Sequence, residues 1–215
     1  MLEALDSIDQ SFFLFLNGFH TPFFDAVFFW GTNTSTWLPL YALLLYFMIR
    51  RYKWQTLWIV LFAALMIIAS DQFSNVFKEW IARPRPTHEP GLTTIHTVNG
   101  YLGGQFGFYS AHASTNLAIA IFTIILLGRP FGYFPVIMLV WALFMSYSRI
   151  YLGVHYPGDI LAGWMAGGLI GWGFAQLCGW FSFFSYRKGK SPGSHFHNNQ
   201  PISDETGKVK PENLF

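Results

Sequence analysis

Residues 148–159 read Ser-Arg-Ile-Tyr-Leu-Gly-Val-His-Tyr-Pro-Gly-Asp, and they lie between two long apolar runs. Arg149 and Asp159 are two of the three charged residues within residues 101–186, and Arg129 is the third. Ionisable side chains at membrane depth are costly and usually serve a site. The segment therefore indicates a polar site between two membrane helices.

The composition supports this interpretation. Of the 215 residues, 53% are hydrophobic and 11% are charged, whereas soluble domains carry about 25% charged residues. The net charge of +2, without a basic patch, argues against a nucleic-acid partner. The single cysteine, Cys178, excludes an intramolecular disulfide. These features predict an integral membrane protein.

Length and apolarity predict an all-α, polytopic membrane helix bundle over residues 1–188. Its five clear transmembrane helices are 36–49, 54–77, 110–127, 131–147 and 157–184. Residues 189–215 are polar and predict a disordered tail. His195 and His197 in this tail suggest metal binding, although a solvated tail is the simpler interpretation.

The N-terminal region, residues 1–33, has an acidic start that is untypical of a cleavable signal peptide. Residues 8–30 are rich in Phe but are interrupted by polar residues. We favour two interfacial or re-entrant helices broken at residues 18–22. The alternative is a sixth crossing, so the bundle has five to six transmembrane helices.

Basic residues predict the orientation of the bundle. The loop 50–53 and the segment 187–190 are basic and fall on one side, which should be the cytoplasm. The loop 84–108 and the segment 148–157 then lie on the opposite, outer face. Lys78, Arg83 and Arg85 are basic residues on the outer side, where such residues are disfavoured. Their position suggests that the outer face binds an anion.

The first polar cluster is Lys78 with Arg85-Pro86, at the end of the second predicted helix. Pro84 and Pro86 force Arg83 and Arg85 into extended backbone, so Arg85 can fold back towards Lys78. The alternative is that these basic side chains only reach towards the membrane interface.

The second cluster is Tyr109-Ser110-Ala111-His112, after a glycine-rich stretch. Ser110 is a natural N-cap for the third predicted helix. The N–H groups of Ala111 and His112 would then be free to bind an anion at the helix N-terminus. The alternative is that Ser110 only caps the helix and His112 only packs there.

The third cluster is the opening segment itself. Pro157 suits the first position of a helix, which puts Asp159 in the first turn. Asp159 can then hold one nitrogen of His155, and Arg149 supplies a planar fork for a phosphate. The alternative is a buried His–Asp pair that holds a loop.

Together the clusters predict phosphoryl transfer. Lys78, Arg85 and Arg149 would hold the phosphate oxygens. His155 would attack phosphorus to form a phosphohistidine, and His112 would protonate the leaving oxygen and later activate water. The sequence lacks an acidic cluster that would hold Mg²⁺, so we expect neither a metal nor another cofactor.

The three clusters, in this order, resemble the motifs of the type 2 phosphatidic acid phosphatase superfamily. The matching stretches are Lys78-x6-Arg85-Pro86, Tyr109-Ser110-Ala111-His112 and Ser148-Arg149-x5-His155-x3-Asp159. In the second motif the family often has Pro and Gly where this chain has Tyr109 and Ala111. The resemblance extends over about residues 62–173. It implies that four residues bind phosphate, namely Lys78, Arg85, Ser110 and Arg149, that His112 is the acid, and that His155 is the nucleophile with Asp159 as its partner.

The resemblance also implies a setting and a range of substrates. Bacterial integral members act on lipid phosphates at the outer face of the inner membrane, so the active site would face the periplasm or the cell exterior. The candidate substrates are undecaprenyl diphosphate, phosphatidylglycerol phosphate, phosphatidic acid and lipid A. We favour a prenyl diphosphate or a glycerophospholipid phosphate, with lipid A next. The oligomeric state is left open.

Two other functions fit parts of the pattern. Vanadium haloperoxidases resemble the superfamily in their anion pocket, but they are soluble, which the hydrophobic content of 53% argues against. A non-catalytic membrane protein that binds or transports a lipid phosphate is the alternative from a different class. The presence of both His155 and His112 favours the enzyme.

Overall fold

The computed structural model describes residues 2–128 and 132–189 of the chain. Its regular structure is helical, which confirms the predicted fold class. The seven α-helices are α1 Leu2–Asn17, α2 Pro22–Gly31, α3 Leu38–Tyr52, α4 Thr56–Ile81, α5 Ala111–Leu127, α6 Phe134–Tyr151 and α7 Pro157–Gly189. Apart from Gly189, which ends α7, the predicted tail with His195 and His197 lies outside the described residues.

The N-terminal region forms two helices, as predicted, with a break at residues 18–21. α1 and α2 meet at an angle of 113°. The Asn17 amide is buried at the break and donates to the backbone oxygens of Ile150 and Tyr151, at 3.0 and 2.9 Å. This contact satisfies carbonyl groups at the end of α6 and fixes the break against it. The depth of α1 and α2 in the bilayer stays a prediction.

Three helical segments of the described chain are long and apolar enough to cross a membrane: Thr34–Ile81, Phe134–Tyr151 and Pro157–Phe181. The bent pair α1 and α2 adds a fourth if it counts as one span. The first segment has 48 residues, and it is broken between α3 and α4 at Lys53, whose φ is 52°. About 20 residues suffice to span a bilayer. The first segment could therefore hold two crossings, α3 and α4, and α5 is a shorter apolar helix of 17 residues, so the count of five crossings stays a prediction.

α5 and α7 approach each other closely along a line of glycines on α7. A Cβ atom on Gly163 would lie 2.7 Å from the Ser110 carbonyl oxygen, and one on Gly171 would lie 2.5 Å from that of Ala118. Gly167, between them, faces the Ser114 backbone in the same way. Small residues at such spacing allow membrane helices to pack backbone to backbone. This packing sets the start of α5 against the start of α7.

The end of α6 differs from the sequence prediction. The predicted helix ended at Tyr147, whereas α6 continues to Tyr151, so Ser148 and Arg149 lie on its last turns. The Ser148 hydroxyl donates to the Met145 carbonyl oxygen at 2.7 Å. Because that hydrogen bond satisfies the side chain within the helix, its polarity does not end the helix.

The two ends of the bundle have different chemistry. At one end the Tyr52 hydroxyl donates to the Leu126 carbonyl oxygen at 2.7 Å, beside the basic loop 50–53. At the other end Arg149 donates to the Thr32 hydroxyl at 2.9 Å. The basic loop and the polar clusters therefore lie at opposite ends, as predicted. The assignment of the first end to the cytoplasm stays a prediction.

Candidate active site

The three predicted cations converge at one end of the bundle. Lys78 lies on the last turn of α4, which ends because Ala82 is left-handed with φ 51° and Pro84 follows. Arg85 lies in the loop beyond, and Arg149 lies on the last turn of α6. Among the described residues none of the three forms an ion pair with a carboxylate. Positive charge without a carboxylate partner is suited to an anion, so the predicted role of these residues in binding phosphate stays a prediction.

A glycine-containing loop holds the Arg85 side chain. Arg85 is 9% exposed, and its Nε donates to the Phe106 carbonyl oxygen at 3.0 Å. Gly103, at φ 70°, would bring an added Cβ to within 2.5 Å of Nη1. Burial, followed by the charge of Arg149, lowers the pKa of Arg85. A bound phosphate would offset both effects.

The Arg149 side chain is buried and held on two sides. Its Nη1 donates to the Thr32 hydroxyl at 2.9 Å, and its Nη2 donates to the Tyr101 hydroxyl at 3.0 Å. Its Nε is buried and has no hydrogen-bond partner in the part of the chain that the structure describes. A buried, unpaired donor is unfavourable, so the Arg149 guanidinium is well suited to take a further acceptor, such as a phosphate oxygen.

His155 and Asp159 form the predicted pair. Both side chains are buried, and His155 Nδ1 lies 3.3 Å from Asp159 Oδ2. The same oxygen accepts the Tyr156 backbone N–H at 3.0 Å. The pKa of His155 lies well below its usual value because of burial and then the charges of the nearby cations, Arg85 first. The imidazole is therefore neutral at neutral pH, and its Nε2 lone pair is available to attack phosphorus.

The backbone of Gly107 lies directly against the His155–Asp159 pair. A Cβ atom there would lie 3.0 Å from Asp159 Oδ2, 3.2 Å from Arg85 Cγ and 3.6 Å from His155 Nδ1. A glycine therefore leaves room for the loop backbone between the carboxylate and the phosphate-binding arginine. The sequence analysis noted the glycine-rich stretch but gave Gly107 no role.

The start of α5 lies beside the pair. Ser110 is its N-cap, as predicted, and its hydroxyl accepts the Ala113 N–H at 3.4 Å. The Ser110 N–H donates to the Asp159 carbonyl oxygen at 3.1 Å, which joins the second and third motifs. The first-turn N–H groups of Ala111 and His112 have no acceptor within the helix. This end of α5 therefore presents free donors and the positive end of the helix dipole.

Two cavities meet at His112. One, of about 330 Å³, lies beside Arg149 and Tyr101. The other, of about 570 Å³, extends between α3, α4 and α5, and both cavities share Thr34 and His112 in their walls. The larger cavity has polar side chains near His112, namely Asp71, Gln72, Thr115 and Asn116. The rest of its walls are mainly apolar, and His112 borders both this cavity and the one beside Arg149.

Arg83 belongs to this region, but it lies among carboxylates, whereas its basic charge on the outer side had suggested anion binding. Its Nη1 lies 3.0 Å from Asp159 Oδ1, and its Nη2 lies 2.7 Å from Asp6 Oδ1 and 2.8 Å from Asp9 Oδ2. In the sequence, this contact was indicated by two acidic residues three positions apart on α1, Asp6 and Asp9. Their partner, 74 and more positions away, becomes visible only in the folded chain.

Comparisons with known proteins show the family of the chain. Residues 59–183 match the family model described as the PAP2 superfamily. A lipid A 4′-phosphatase of Bacteroides thetaiotaomicron is 39% identical over 178 residues, which cover 81% of this chain and 78% of that protein. A lipid A 4′-phosphatase of Porphyromonas gingivalis is 35% identical over 173 residues, covering 79% and 72%.

The fold is also that of a solved membrane enzyme. The crystal structure of a transmembrane PAP2-type phosphatidylglycerolphosphate phosphatase from Bacillus subtilis superposes with a TM-score of 0.58 at 23% identity. The match covers 88% of this chain and 89% of that one. The chain therefore belongs to the PAP2 superfamily, a family of phosphatases, and the resemblance seen in the sequence is confirmed.

Proposed function

We propose that this protein is a metal-independent lipid phosphate phosphatase that works through a phosphohistidine on His155. The observation that carries the proposal is a buried His155–Asp159 pair beside three cations that have no carboxylate partner among the described residues. The proposed position is the outer face of a bacterial inner membrane. There the site would meet lipid headgroups at the helix ends.

The proposed reaction has two steps. The Nε2 lone pair of His155 attacks phosphorus, and the bond from phosphorus to the lipid oxygen breaks. His112, which takes up a proton once the charge of the bound phosphate offsets the neighbouring cations, gives that proton to the lipid oxygen. His112 then takes a proton from water, whose oxygen attacks the phosphohistidine. The phosphorus–nitrogen bond breaks, its electron pair returns to His155, and phosphate leaves.

The cations stabilise the charge on phosphorus in both steps. Lys78, Arg85 and Arg149 would face the non-bridging oxygens together with the free N–H groups of Ala111 and His112. Ser110 would act mainly by capping α5 and by holding Asp159 through its backbone. Asp159 fixes Nδ1 of His155 and stabilises the positive charge that develops on the ring.

We propose that the substrate is a phosphorylated amino-sugar lipid, with the 4′-phosphate of lipid A as its model. The two lipid A 4′-phosphatases cited above support this choice over the prenyl and glycerolipid substrates. The larger cavity supports it independently, because its walls combine Asp71, Gln72, Thr115 and Asn116 with many apolar side chains. A sugar next to the phosphate would meet the polar part, and acyl chains would meet the apolar part.

Among the polar side chains of the larger cavity, Asp71 says most about the identity of the substrate. It lies seven residues before Lys78 on α4, about 10 Å along the helix. The Asn75 amide donates to Asp71 Oδ2 at 3.3 Å, and Lys78 donates to Asn75 Oδ1 at 3.3 Å. An ionised carboxylate only accepts hydrogen bonds. It therefore favours a substrate with hydroxyl or amide N–H donors near the phosphate, which an amino sugar has and a prenyl chain lacks.

A phosphate-release assay with purified protein in detergent tests the proposal. In EDTA we expect turnover of lipid A, undecaprenyl diphosphate, phosphatidylglycerol phosphate and phosphatidic acid to differ, with the highest kcat/KM for lipid A. Activity that disappears in EDTA and returns with a divalent cation would contradict the metal-independent mechanism. Transport of labelled lipid across liposomes without phosphate release would favour the non-catalytic alternative.

Asp71→Asn tests the assignment of the substrate. A hydrogen bond to a charged group contributes about 1.5–3 kcal/mol, so kcat/KM for lipid A should fall about tenfold to a hundredfold. Turnover of phosphatidic acid, measured in parallel, should change less than about twofold, since that lipid offers Asp71 no comparable donor. An equal loss with both lipids would mean that Asp71 acts through Asn75 and Lys78, and not on the sugar.

A further inference from the structure

Arg83 contacts three carboxylates at once. One nitrogen lies 3.0 Å from Asp159, the other lies within 2.8 Å of both Asp6 and Asp9, and the guanidinium carbon sits 4.0 Å from the centre of the Tyr156 ring. Asp6 and Asp9 belong to α1, whereas Asp159 belongs to α7. Arg83 is thus the electrostatic link between the N-terminal helix and the catalytic pair.

Arg83 and Arg85 start from the same extended stretch of backbone but have different partners. Pro84 pairs with Phe106 as an antiparallel bridge, Gly107 N–H donates to the Arg83 carbonyl, and Arg85 N–H donates to the Gln105 carbonyl. In such extended backbone, side chains two residues apart start from the same face, and only their further course separates them. Arg83 ends among carboxylates, so it is not available to phosphate, whereas Arg85 is.

A second contact seats α1 on the start of α7. Asp9 Oδ1 accepts the Gly158 backbone N–H at 2.7 Å, while Asp9 Oδ2 holds Arg83. A Cβ atom on Gly158 would lie 2.6 Å from Asp9 Oδ2, so the contact requires a glycine there. Asp9 therefore fixes both Arg83 and the helix turn that carries Asp159.

We propose that Arg83, held by Asp6 and Asp9, is a positioning residue that sets the orientation of Asp159 and, through it, of His155. Through Asp6 and Asp9, α1 then helps to orient the residues of the active site. The proposal rests on the phosphatase function proposed above. It adds a role for Arg83, which occupies an unspecified position of the first motif, and for Asp6 and Asp9, which lie outside the three motifs.

The arrangement around Asp159 gives the physical reason. Its side chain is fully buried, with Oδ1 on Arg83 and Oδ2 on His155 and the Tyr156 N–H. A buried carboxylate that loses its cation is strongly destabilised, so it would turn or take up a proton. Either change would release Nδ1 of His155 from the geometry needed for attack. A planar guanidinium can bridge carboxylates on two sides, which a lysine ammonium does less well.

The test compares Arg83→Gln with the wild-type chain, in the presence and absence of Asp159→Asn. Alone, R83Q should lower kcat for lipid A about tenfold to a hundredfold, the range found for residues that orient a functional ligand. KM should stay within about twofold, since the phosphate-binding cations are untouched. Arg83→Lys should restore part of the loss.

The double variant separates positioning from a general structural role. Because Arg83 acts through Asp159, adding R83Q to D159N should lower kcat by less than about threefold further. The same loss in both backgrounds, or a rise in KM without a loss of kcat, would overturn the proposal. If R83Q does not fold, Asp9→Asn and Gly158→Ala weaken the same link and should give a smaller kcat loss that likewise vanishes in D159N. Unchanged kcat in both would equally overturn it.

The same experiment distinguishes the two proposals. If the wild-type chain releases no phosphate from any of the four lipids, the proposed function fails. If the wild-type chain is active and R83Q is equally active, only the role of Arg83 fails.

Discussion

Replacement of His155 by alanine is expected to lower phosphate release by about a thousandfold or more, since the variant has lost the proposed nucleophile. The Lys78, Arg85 and Arg149 side chains stay in place, so substrate should still bind. Wild-type protein mixed briefly with ³²P-labelled substrate and quenched should carry label that is stable in base and labile in acid, as expected of a phosphohistidine. His155→Ala should carry none.

The chain offers a matched control for this variant. His96 and Asp25 also form a His–carboxylate pair, with Nε2 2.8 Å from Oδ1, and the His96 ring stacks on His20. This pair lies apart from the residues that line the two cavities. His96→Ala should therefore still form the phosphoenzyme. Labelled phosphoenzyme in His155→Ala, or its loss in both variants, would contradict the assignment of His155.

The transmembrane helices could be predicted from the sequence because their apolar runs are long and bounded by basic or proline-containing loops. The prediction failed at the end of α6, where Ser148 and Arg149 suggested a loop. The structure shows why polarity was misleading there. Arg149 is accommodated in a helix end because Thr32 and Tyr101, from distant parts of the chain, accept its hydrogen bonds. Such compensation depends on tertiary contacts that a local pattern does not contain.

The motif residues of the candidate site could be predicted from the sequence, but the residues that support them could not. Lys78, Arg85, His112, His155 and Asp159 each belong to a short local motif, and the helix directions bring those motifs to one end. The residues that support them were not predictable, because each reaches the site through a long-range contact. Arg83 contacts Asp6, which is 77 positions away in the sequence. Gly107 likewise lies against the His155–Asp159 pair, which is distant from it in the sequence. The residues proposed to react or to bind phosphate therefore lie in short sequence motifs, whereas the residues that hold them in place are distant in the sequence.

The larger cavity bears on the choice of substrate, which stays a prediction. The sequence favoured a prenyl diphosphate or a glycerophospholipid phosphate over lipid A, although no residue pattern ranked these lipids firmly. In the folded chain, Asp71 and Gln72 of α4 face Thr115 and Asn116 of α5 across the same space. A substrate whose headgroup carries donors close to its phosphate fits this region better than a hydrocarbon chain does.

Replacement of His112 by alanine is expected to separate the two chemical steps. With a lipid substrate, loss of the proposed acid should lower turnover by about 10²–10⁴-fold, the usual contribution of a general acid or base. An aryl phosphate such as p-nitrophenyl phosphate has a leaving group that needs no proton. Attack by His155 should therefore still proceed, whereas hydrolysis of the phosphohistidine should stall because no base activates water.

The expected signature is a burst of about one nitrophenolate per active site, followed by slow turnover, in stopped-flow measurements of His112→Ala. His155→Ala provides the control, since it lacks the nucleophile and should give no burst. Steady-state turnover of the aryl phosphate at the wild-type rate would show that His112 does not activate water. A burst equal in the two variants would assign the nucleophile elsewhere. The pair of variants thus tests whether attack and hydrolysis depend on different histidines, as the position of His112 between the two cavities implies.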